Sequence, residues 1–365
     1  MEINKQLVCL ETTTNRAHTP QSPALIYVSD QQPGITRQRL KKGFRYIDSA
    51  GAVVTDEETL ARINALKIPP AYEKVWICPF SNGHLQATGR DARGRKQYRY
   101  HERWTQIRDA DKYEQLHAFG MALPRIRRQV ATDLAKRTLC REKIIASVVR
   151  LLDTTLIRIG SRVYAQTNKS YGLTTLKRKH TTVTADRIRF HFKGKSGVEH
   201  DVTITDARVA RVVRRCMDIP GHQLFHYKDD DGTFHSVDSD AVNTYIKEAV
   251  GEDFTAKHYR TWAGSVDALA ALQHRPEDND GARRREVVDV VKDIARRLGN
   301  TPAICRKCYI HPAILDSYLE GRLPPRQPNP AGPRRLNADE KRLLAFLREH
   351  SDAGAIAVEP ARNAS

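Results

Sequence analysis

The sequence predicts an α+β fold, with a small β-rich N-terminal domain at residues 26–108 and a larger, mainly α-helical domain at residues 109–321. Short apolar runs between turn residues predict strands in the first domain: VWICPF, LQATG and QYRYH. Apolar residues spaced at threes and fours through 111–140 predict helices in the second. The chain of 365 residues is long enough for two or three domains of about 150 residues.

Turn and proline signals divide the N-terminal region. Residues 1–25 carry Thr, Asn, Pro and Ser without apolar periodicity, which predicts a loose leader. GFRYIDSAGAVVT, residues 43–55, places two apolar runs around a Ser/Gly turn and predicts a β-hairpin. ETLARINAL, residues 58–66, has helical spacing that stops before Pro69 and Pro70.

One β-hairpin is predicted to interrupt the helices of the second domain. EKIIASVVRLLDTTLIRIGSRVYAQ, residues 142–166, has helical periodicity. Alternation between 182 and 205 predicts a hairpin whose turn is GKSG. Residues 283–298 predict a helix with Gly299 as its C-cap, and Thr301 followed by Pro302 begins a new short helix.

A proline-rich segment, GRLPPRQPNPAGPRR, begins near Gly321. It predicts a linker, followed by a short helix near Asp339–His350 and a tail of small residues that we expect to be poorly ordered. Residues 322–365 are therefore predicted to form a linker and tail beyond the helical domain.

The charge balance predicts a polyanionic partner. Lys and Arg number 61 against 43 Asp and Glu, a net charge of +18. Nucleic acid is the first candidate, with a basic surface kept for solubility as the alternative. The N-terminus has neither a secretory signal nor a spanning segment, and the six cysteines are scattered. We therefore expect a cytoplasmic protein with reduced thiols that needs no membrane.

The stretch CRKCYIHP, residues 305–312, permits two interpretations. Cys305 and Cys308 form a CxxC, which is typical of a redox pair or half a zinc site, with His311 as a third ligand. A closed zinc site needs four ligands, and no second CxxC supplies the rest. The alternative is that Tyr309, on the short helix begun by Thr301, is the reactive group and the cysteines are incidental.

The densest basic segment, GRDARGRKQYRYHERW at residues 89–104, interleaves cations with aromatic residues. If QYRY is a strand, Tyr98 and Tyr100 point to one face and Gln97 and Arg99 to the other. This pattern suits guanidinium contacts to phosphates with aromatic rings against sugars or bases. The alternative packs the tyrosines into a core and leaves the cations solvated. The predicted DNA-binding residues of this segment are Arg90, Arg93, Arg95, Lys96, Gln97, Tyr98, Arg99 and Tyr100.

Three further basic residues stand in apolar or turn settings: Arg158 in LIRIG, Lys195 in GKSG and Arg260 in KHYRTW. Such side chains usually have an anionic partner. Together with Tyr309 they are the groups that tyrosine-mediated phosphodiester cleavage needs: a phenol, cations for the nonbridging oxygens and an acid for the leaving oxygen. The phosphotyrosyl product keeps the bond energy, so rejoining requires neither metal nor ATP.

Six motifs in order make the chain resemble type IB DNA topoisomerases of the small poxvirus-like and bacterial branch, over roughly residues 26–320. They are KIPPAYEKVWICP (67–79), NGHLQATGRDARGRKQYRYH (82–101), RLLDTTLIRIGSRVYAQTNKSYGLTTLKRKH (150–180), FKGK (192–195), KHYRTWAG (257–264) and LGNTPAICRKCYIHP (298–312). The resemblance implies a catalytic domain of the tyrosine recombinase/topoisomerase IB type. It also implies a C-shaped clamp, joined near residues 105–111, which closes around duplex DNA. We expect a nucleoid-associated monomer without cofactors.

The resemblance assigns roles residue by residue. It implies that Tyr309 is the nucleophile, that Arg158 and Arg260 bind the phosphate, and that Lys195 is the general acid, acting with Arg158 on the 5′-oxygen. Asn300 stands where the family commonly has histidine; its amide donates a neutral hydrogen bond but carries no charge. Alternatively, Gly-Asn here is only turn chemistry. Tyr164 and Lys257 are implied as further DNA contacts.

Two other functions are consistent with parts of this pattern. A tyrosine recombinase shares the arginine, lysine and tyrosine chemistry, but usually has a helical N-terminal clamp and an HxxR motif. In this chain the N-terminal domain is predicted to be β-rich, and the corresponding motif is KxxR at Lys257–Arg260. A non-enzymatic architectural DNA binder with zinc at Cys305, Cys308 and His311 would form no covalent DNA adduct.

Overall fold

In the computed structural model, the described residues are 24–92, 94–229, 231–275 and 279–356, without the side chains of 105–112, 114 and 351–356. Most of the predicted leader, Arg93 and the small-residue tail beyond Ile356 therefore lie outside the described residues. The chain divides into two compact units, Met1–Asp111 and Lys112–Ser365. The N-terminal unit contains a β-sheet, and the larger unit is mostly helical, as the sequence predicts.

The N-terminal unit contains a five-stranded antiparallel sheet in the order β2-β1-β3-β4-β5. Its elements are β1 (Ile35–Arg39), β2 (Phe44–Ile47), α1 (Glu57–Ala65), β3 (Glu73–Ile77), β4 (Leu85–Arg90) and β5 (Lys96–Tyr100). The helix expected at 58–66 is confirmed. The hairpin expected at 43–55 is only partly formed, because β2 pairs with β1 and its second arm is a single bridge between Ile47 and Val53.

The second unit has one large core and two small sheets. The helices are α2 (Glu102–Ala135, within which the division falls), α3 (Arg141–Thr155), α4 (Arg162–Thr167), α5 (Ala207–Asp218), α6 (Ser239–Val250), α7 (Ala256–Gln273), α8 (Asp280–Leu298), α9 (Pro302–Cys308), α10 (Pro312–Leu319) and α11 (Ala338–Ile356). The strands are β6 (Thr181–Val183), β7 (Arg187–Lys193) and β8 (Glu199–Thr205) in one sheet, and β9 (His226–Lys228) and β10 (Phe234–Ser236) in the other. The hairpin predicted around GKSG is confirmed as β7 and β8.

The helix predicted over 142–166 is broken, which corrects the sequence-based expectation. Helix α3 ends where Leu156 adopts the left-handed conformation, with φ 57°. The hydroxyl of Thr155 accepts a hydrogen bond from the backbone N–H of Ile157 at 3.3 Å, so a side chain competes with helix continuation. Residues 156–161 therefore form a loop, and Arg158 lies in that loop rather than on a helix.

Helix α11 packs into the second unit, so residues 322–365 are not merely a linker and tail. Leu343, Phe346 and Leu347 are buried in the same core as α7. Glu340 of α11 forms an ion pair with Arg127, and Arg127 also pairs with Asp153 at 2.8 Å. The sequence of α11 contains the apolar residues of one helix face, but it does not show which surface of the protein they pack against.

Helix α7 forms the centre of the larger unit. It contacts α8, α10, α11 and α3. The indole N–H of Trp262, on α7, donates to Glu340 at 3.3 Å, which links α11 to the helix that carries Arg260. Across the ranges that the structure covers, no helix combines the length and the apolar character needed to span a bilayer.

We predict that Glu340→Gln destabilises the protein by about 2 kcal/mol at pH 7, because Arg127 loses a charged acceptor in a buried setting. Burial alone would raise the pKa of Glu340, but the hydrogen bonds and charge of Arg127 outweigh it and lower the pKa below the usual 4.5. The stabilisation is therefore present above pH 4.5 and is lost as the pH falls through the lower folded value.

Urea unfolding of the parent and the variant at pH 7 and at acidic pH tests this. Glu349→Gln, at an exposed position on the same helix, is the matched control. A difference between the parent and Glu340→Gln that stays the same in acid would contradict the assignment.

Candidate active site

The loop after α3 positions Arg158. Its backbone carbonyl accepts a hydrogen bond from Leu173 at 2.9 Å, and the neighbouring Leu156 and Ile157 are buried. The guanidinium donates to the carbonyl of Gly299 at 2.9 Å and to the amide oxygen of Asn300. The broken helix thus brings Arg158 to the C-terminal end of α8, 142 residues further along the chain.

Arg260 lies in the second turn of α7 and is only 4% exposed. One terminal nitrogen donates to the carbonyl of Leu156 and the other to the carbonyl of Leu298 at 2.6 Å. Its guanidinium carbon lies 5.1 Å from the centroid of the Tyr309 ring. Arg260 therefore joins the end of α3, the end of α8 and the region of Tyr309.

The two guanidinium groups at the site are placed differently from the paired arginines elsewhere in the described chain. Neither Arg158 nor Arg260 forms a salt bridge among the residues whose side chains are described. Burial, followed by the charge of Arg260, lowers the pKa of Arg158, and burial lowers the pKa of Arg260. Because arginine remains charged at neutral pH, the two form a partly buried cationic pair suited to an anion.

Tyr309 is the C-cap residue of α9, with φ −132° and ψ −5°. The prediction that it lies on the helix is therefore wrong by one position. The predicted start is confirmed, because the Thr301 side chain caps α9 and Pro302 occupies its first turn. Leaving the helix at Tyr309 lets the phenol turn toward Arg260, and His311 then caps the next helix, α10.

Gly264 of α7 makes room for the backbone of Tyr309. A Cβ on Gly264 would lie 2.4 Å from the Tyr309 carbonyl oxygen. The next residue, Ser265, accepts a hydrogen bond from the His311 backbone N–H at 2.9 Å. Helix α7 therefore places both Arg260 and Tyr309.

Asn300 follows the left-handed C-cap Gly299, which confirms the predicted end of α8. Its amide oxygen accepts from Arg158, so its NH₂ group points away from that guanidinium and lies 3.5 Å from the Leu298 carbonyl. Asn300 thus has both a structural role, as a partner of Arg158, and an amide donor at the site.

Lys195 occupies the exposed tip of the β7–β8 hairpin. The tip is a short 3₁₀ turn in which Ser196 and Gly197 have φ of 64° and 77°. Among the described hydrogen bonds, none joins Lys195 to Arg158, Arg260, Asn300 or Tyr309. The structure therefore brings these four residues together and leaves Lys195 on a separate hairpin tip.

Comparison with known proteins identifies the family. The family described as eukaryotic DNA topoisomerase I, catalytic core, matches residues 101–321, and the bacterial DNA topoisomerase IB N-terminal domain matches residues 43–91. The chain belongs to the type IB DNA topoisomerases. It is 32% identical over 295 residues to DNA topoisomerase 1B of Acanthamoeba polyphaga mimivirus, covering 78% of this chain and 87% of that protein.

A more distant relative shares the same name. DNA topoisomerase 1B of Vaccinia virus is 23% identical over 248 residues, 67% of this chain and 75% of that protein. The chain is therefore a topoisomerase, an isomerase whose substrate is DNA. The recombinase and architectural-binder hypotheses are not retained.

The cysteines of CRKCYIHP show no sign of a metal site in this topoisomerase. Among the residues described, no group of three His, Cys, Asp or Glu side chains is placed to hold a metal ion. Cys305 is buried, and burial raises its pKa to about 11, which disfavours the thiolate form that binds metal. The Nδ1 atom of His311 accepts from the Ala313 backbone N–H at 3.3 Å.

The aromatic pair predicted on β5 is on the surface of the topoisomerase. Tyr98 and Tyr100 are 46% and 41% exposed, and their rings stack with centroids 6.1 Å apart. Both therefore point to one face, as predicted, and the alternative that packs them in the core is wrong.

Several neighbouring cations of this segment have partners within the N-terminal unit. Arg95 pairs with Asp91 at 2.7 Å, Gln97 donates to the same carboxylate at 2.9 Å, and Lys96 pairs with Asp30. Arg90 donates to the carbonyl of Gly94 at 2.8 Å and Arg99 to that of Lys67 at 3.4 Å. The contacts of Arg90, Arg95 and Gln97 lie at the β4–β5 turn, a structural role that the sequence pattern did not reveal.

Tyr164 and Lys257 are both exposed in the larger unit. Near Tyr164 on α4 is a groove of about 650 Å³ with a basic lining. The cations that line it are Arg162, Lys169, Lys177 and Lys179. Because the described residues that line it include four cations and no acid, the groove offers a path for a phosphate backbone.

We predict that Gly264→Ala slows DNA cleavage by about 100-fold, because the new methyl group forces the Tyr309 backbone away from Arg260. Single-turnover cleavage measures the effect, and thermal unfolding shows whether the fold is retained. Gly281→Ala, an exposed helical glycine on α8, is the control. A parental cleavage rate in Gly264→Ala would show that the close approach has no catalytic importance.

Proposed function

We propose that the chain relaxes positive and negative supercoils by cutting one strand of duplex DNA through a 3′-phosphotyrosyl intermediate, without ATP or metal. The phenolic oxygen of Tyr309 forms a bond to phosphorus while the bond from phosphorus to the 5′-oxygen breaks. The duplex rotates, and attack by the 5′-hydroxyl reverses the step. The observation that carries this proposal is a pair of arginines beside Tyr309 that form no salt bridge with any side chain the structure describes.

The arginines supply charge stabilisation in this proposal. Arg158 and Arg260 bind the nonbridging oxygens, where negative charge accumulates in the transition state. Arg260 also lies against the Tyr309 ring, so its charge is held close to the attacking group. Because Arg260 is held by two backbone carbonyls rather than by a carboxylate, its charge is not neutralised before DNA arrives.

Lys195 is the proposed general acid for the 5′-oxygen, acting together with Arg158. Lysine suits this role because its ammonium group carries a proton that it can donate to the departing oxygen. Its place at a hairpin tip supports a role that begins once DNA is bound, because the tip is exposed in the free protein.

Asn300 is proposed to donate a hydrogen bond to a nonbridging oxygen. Its orientation supports this role, because Arg158 donates to the amide oxygen, whereas the NH₂ group makes a long hydrogen bond of 3.5 Å to the Leu298 carbonyl. A neutral donor at this position stabilises charge but does not transfer a proton.

Duplex binding is proposed to use surfaces on both units. Tyr98 and Tyr100 supply exposed aromatic faces, while Tyr164, Lys257 and the basic groove supply contacts to the backbone. We further propose that the protein acts as a monomer that closes on DNA as a C-shaped clamp, in the cytoplasm at the nucleoid. The formal charge of +18 supports strong attraction to DNA.

We predict that Tyr309→Phe forms no covalent DNA adduct, because it lacks the attacking oxygen. A duplex labelled at the 5′ end of the scissile strand is mixed with enzyme and quenched rapidly in SDS; the parent retains the label on protein. A label at the 3′ end of that strand is released instead. Tyr227→Phe, on β9, is the control and keeps the adduct. Adduct formation by Tyr309→Phe would refute the nucleophile assignment.

We predict that Asn300→Ala slows cleavage by about 100-fold, through loss of one donor to the transition state. Asn300→His retains most of the rate because imidazole also donates. Asn300→Asp is slower than Asn300→Ala, since a carboxylate neutralises Arg158. Single-turnover rates at saturating enzyme provide the ranking, and equal rates for the parent and Asn300→Ala would contradict the role.

A further inference from the structure

His200, on β8, was not singled out by its sequence, yet it lies beside the site. Its ring stacks on Phe192 of the paired strand β7, with centroids 5.0 Å apart and planes 10° from parallel. This stacking directs the imidazole toward the two segments that carry Lys195 and Asn300.

Two glycines make room for this ring, and each directly precedes a proposed catalytic residue. A Cβ on Gly194, before Lys195, would lie 2.6 Å from the imidazole Nε2. A Cβ on Gly299, before Asn300, would lie 2.9 Å from the imidazole Cε1. Both distances are shorter than real Cβ contacts, so the ring is wedged between the two backbones.

The backbone conformation shows that glycine occupies positions 194 and 299 for different reasons. Gly299 has φ 59°, so helix capping already favours glycine there. Gly194 has φ −92°, which any residue adopts, so its backbone does not require glycine. Close contact with His200 is the remaining reason for the missing side chain at Gly194.

The charges around His200 favour the neutral form of its imidazole. Burial, followed by the charges of Arg158 and Arg260, lowers the pKa of His200. The imidazole is therefore neutral at neutral pH and adds no third positive charge beside the arginines. Gly299 also accepts the hydrogen bond from Arg158, so the backbone against which the ring packs holds that guanidinium.

We propose that His200 is a positioning residue whose ring sets the Lys195 hairpin tip against the Arg158–Asn300 segment. The tip has its own hydrogen bonds, from Gly194 to Val198 at 2.8 Å and from Gly197 to Gly194 at 3.1 Å, which shape the turn without aiming it. Contact between His200 and Gly299 supplies the direction. The inference rests on the proposed role of Lys195 as general acid.

A change of leaving group tests the inference. In the normal cleavage step a proton passes from Lys195 to the departing 5′-oxygen. If sulfur replaces that bridging oxygen, the thiolate leaves without a proton, so a misplaced acid no longer matters. Single-turnover cleavage of matched oxygen-bridged and sulfur-bridged duplexes therefore separates a fault in Lys195 placement from a general loss of function.

We expect His200→Ala to cleave the oxygen-bridged duplex about 30-fold more slowly than the parent. On the sulfur-bridged duplex it cleaves within about threefold of the parent, because no acid is needed. His200→Phe keeps a flat ring against Phe192 and retains most of the rate on both. Gly194→Ala displaces the ring from the other side and gives the signature of His200→Ala, even if His200→Ala fails to fold.

The outcomes distinguish this inference from the proposed function. An equal loss on both duplexes for His200→Ala and Gly194→Ala overturns the positioning role, as does a His200→Phe variant as slow as His200→Ala on the oxygen-bridged duplex. Lys195→Ala is measured alongside. If sulfur rescues Lys195→Ala but not the His200 and Gly194 variants, only the His200 inference fails. If sulfur does not rescue Lys195→Ala, the general-acid assignment fails, and the inference with it.

Discussion

The burial of Arg260 without a carboxylate is the constraint on which the rest of the site depends. Its guanidinium contacts the carbonyls that end α3 and α8 and lies against the Tyr309 ring. Two helices must therefore end where their carbonyls become available to it. Leu156 and Gly299 both achieve this with left-handed C-caps. The positive charge of Arg260, which binds the ends of α3 and α8, therefore remains available to a phosphate.

Burying the Arg260 guanidinium without a carboxylate partner among the described side chains costs desolvation free energy. Contacts elsewhere on α7 stabilise this helix. On another part of α7, Trp262 donates to Glu340, which pairs with Arg127 and so with Asp153. In that network Arg127 has two carboxylate partners, whereas Arg260 donates to two backbone carbonyls and its buried Nε has no hydrogen-bond partner among the described residues. Helix α11 thus contributes to function indirectly, by supporting the helix that carries Arg260.

The local signals in the sequence predicted much of the site. Gly299, Thr301 and the GKSG turn each use a short-range physical preference, and each prediction was confirmed. The break at Leu156 was not predicted, because leucine favours helix; the Thr155 hydroxyl competes with the helix locally, and Arg260, 104 residues further along the chain, donates to the Leu156 carbonyl. Tyr309 was placed on the helix because no helix-breaking residue lies between Pro302 and Tyr309. Its close approach to Gly264 is a long-range contact that the sequence does not show.

Long-range partners explain the remaining errors. The pairing of Lys96 with Asp30 and the docking of α11 join residues far apart in sequence, so no local pattern reveals them. One feature of the sequence could have indicated a close neighbour such as His200: Gly194 stands immediately before Lys195, and its backbone conformation does not require glycine.

The central claim is that the arginine pair neutralises charge on the scissile phosphate. Single-turnover cleavage by Arg260→Ala tests it most directly, on a normal duplex and on one whose scissile phosphate is replaced by an uncharged methylphosphonate. We expect a loss of about 1,000-fold relative to the parent on the normal duplex. On the neutral duplex the loss shrinks to about tenfold or less, because the charge that Arg260 balances is gone. An equal loss on both duplexes would contradict the account.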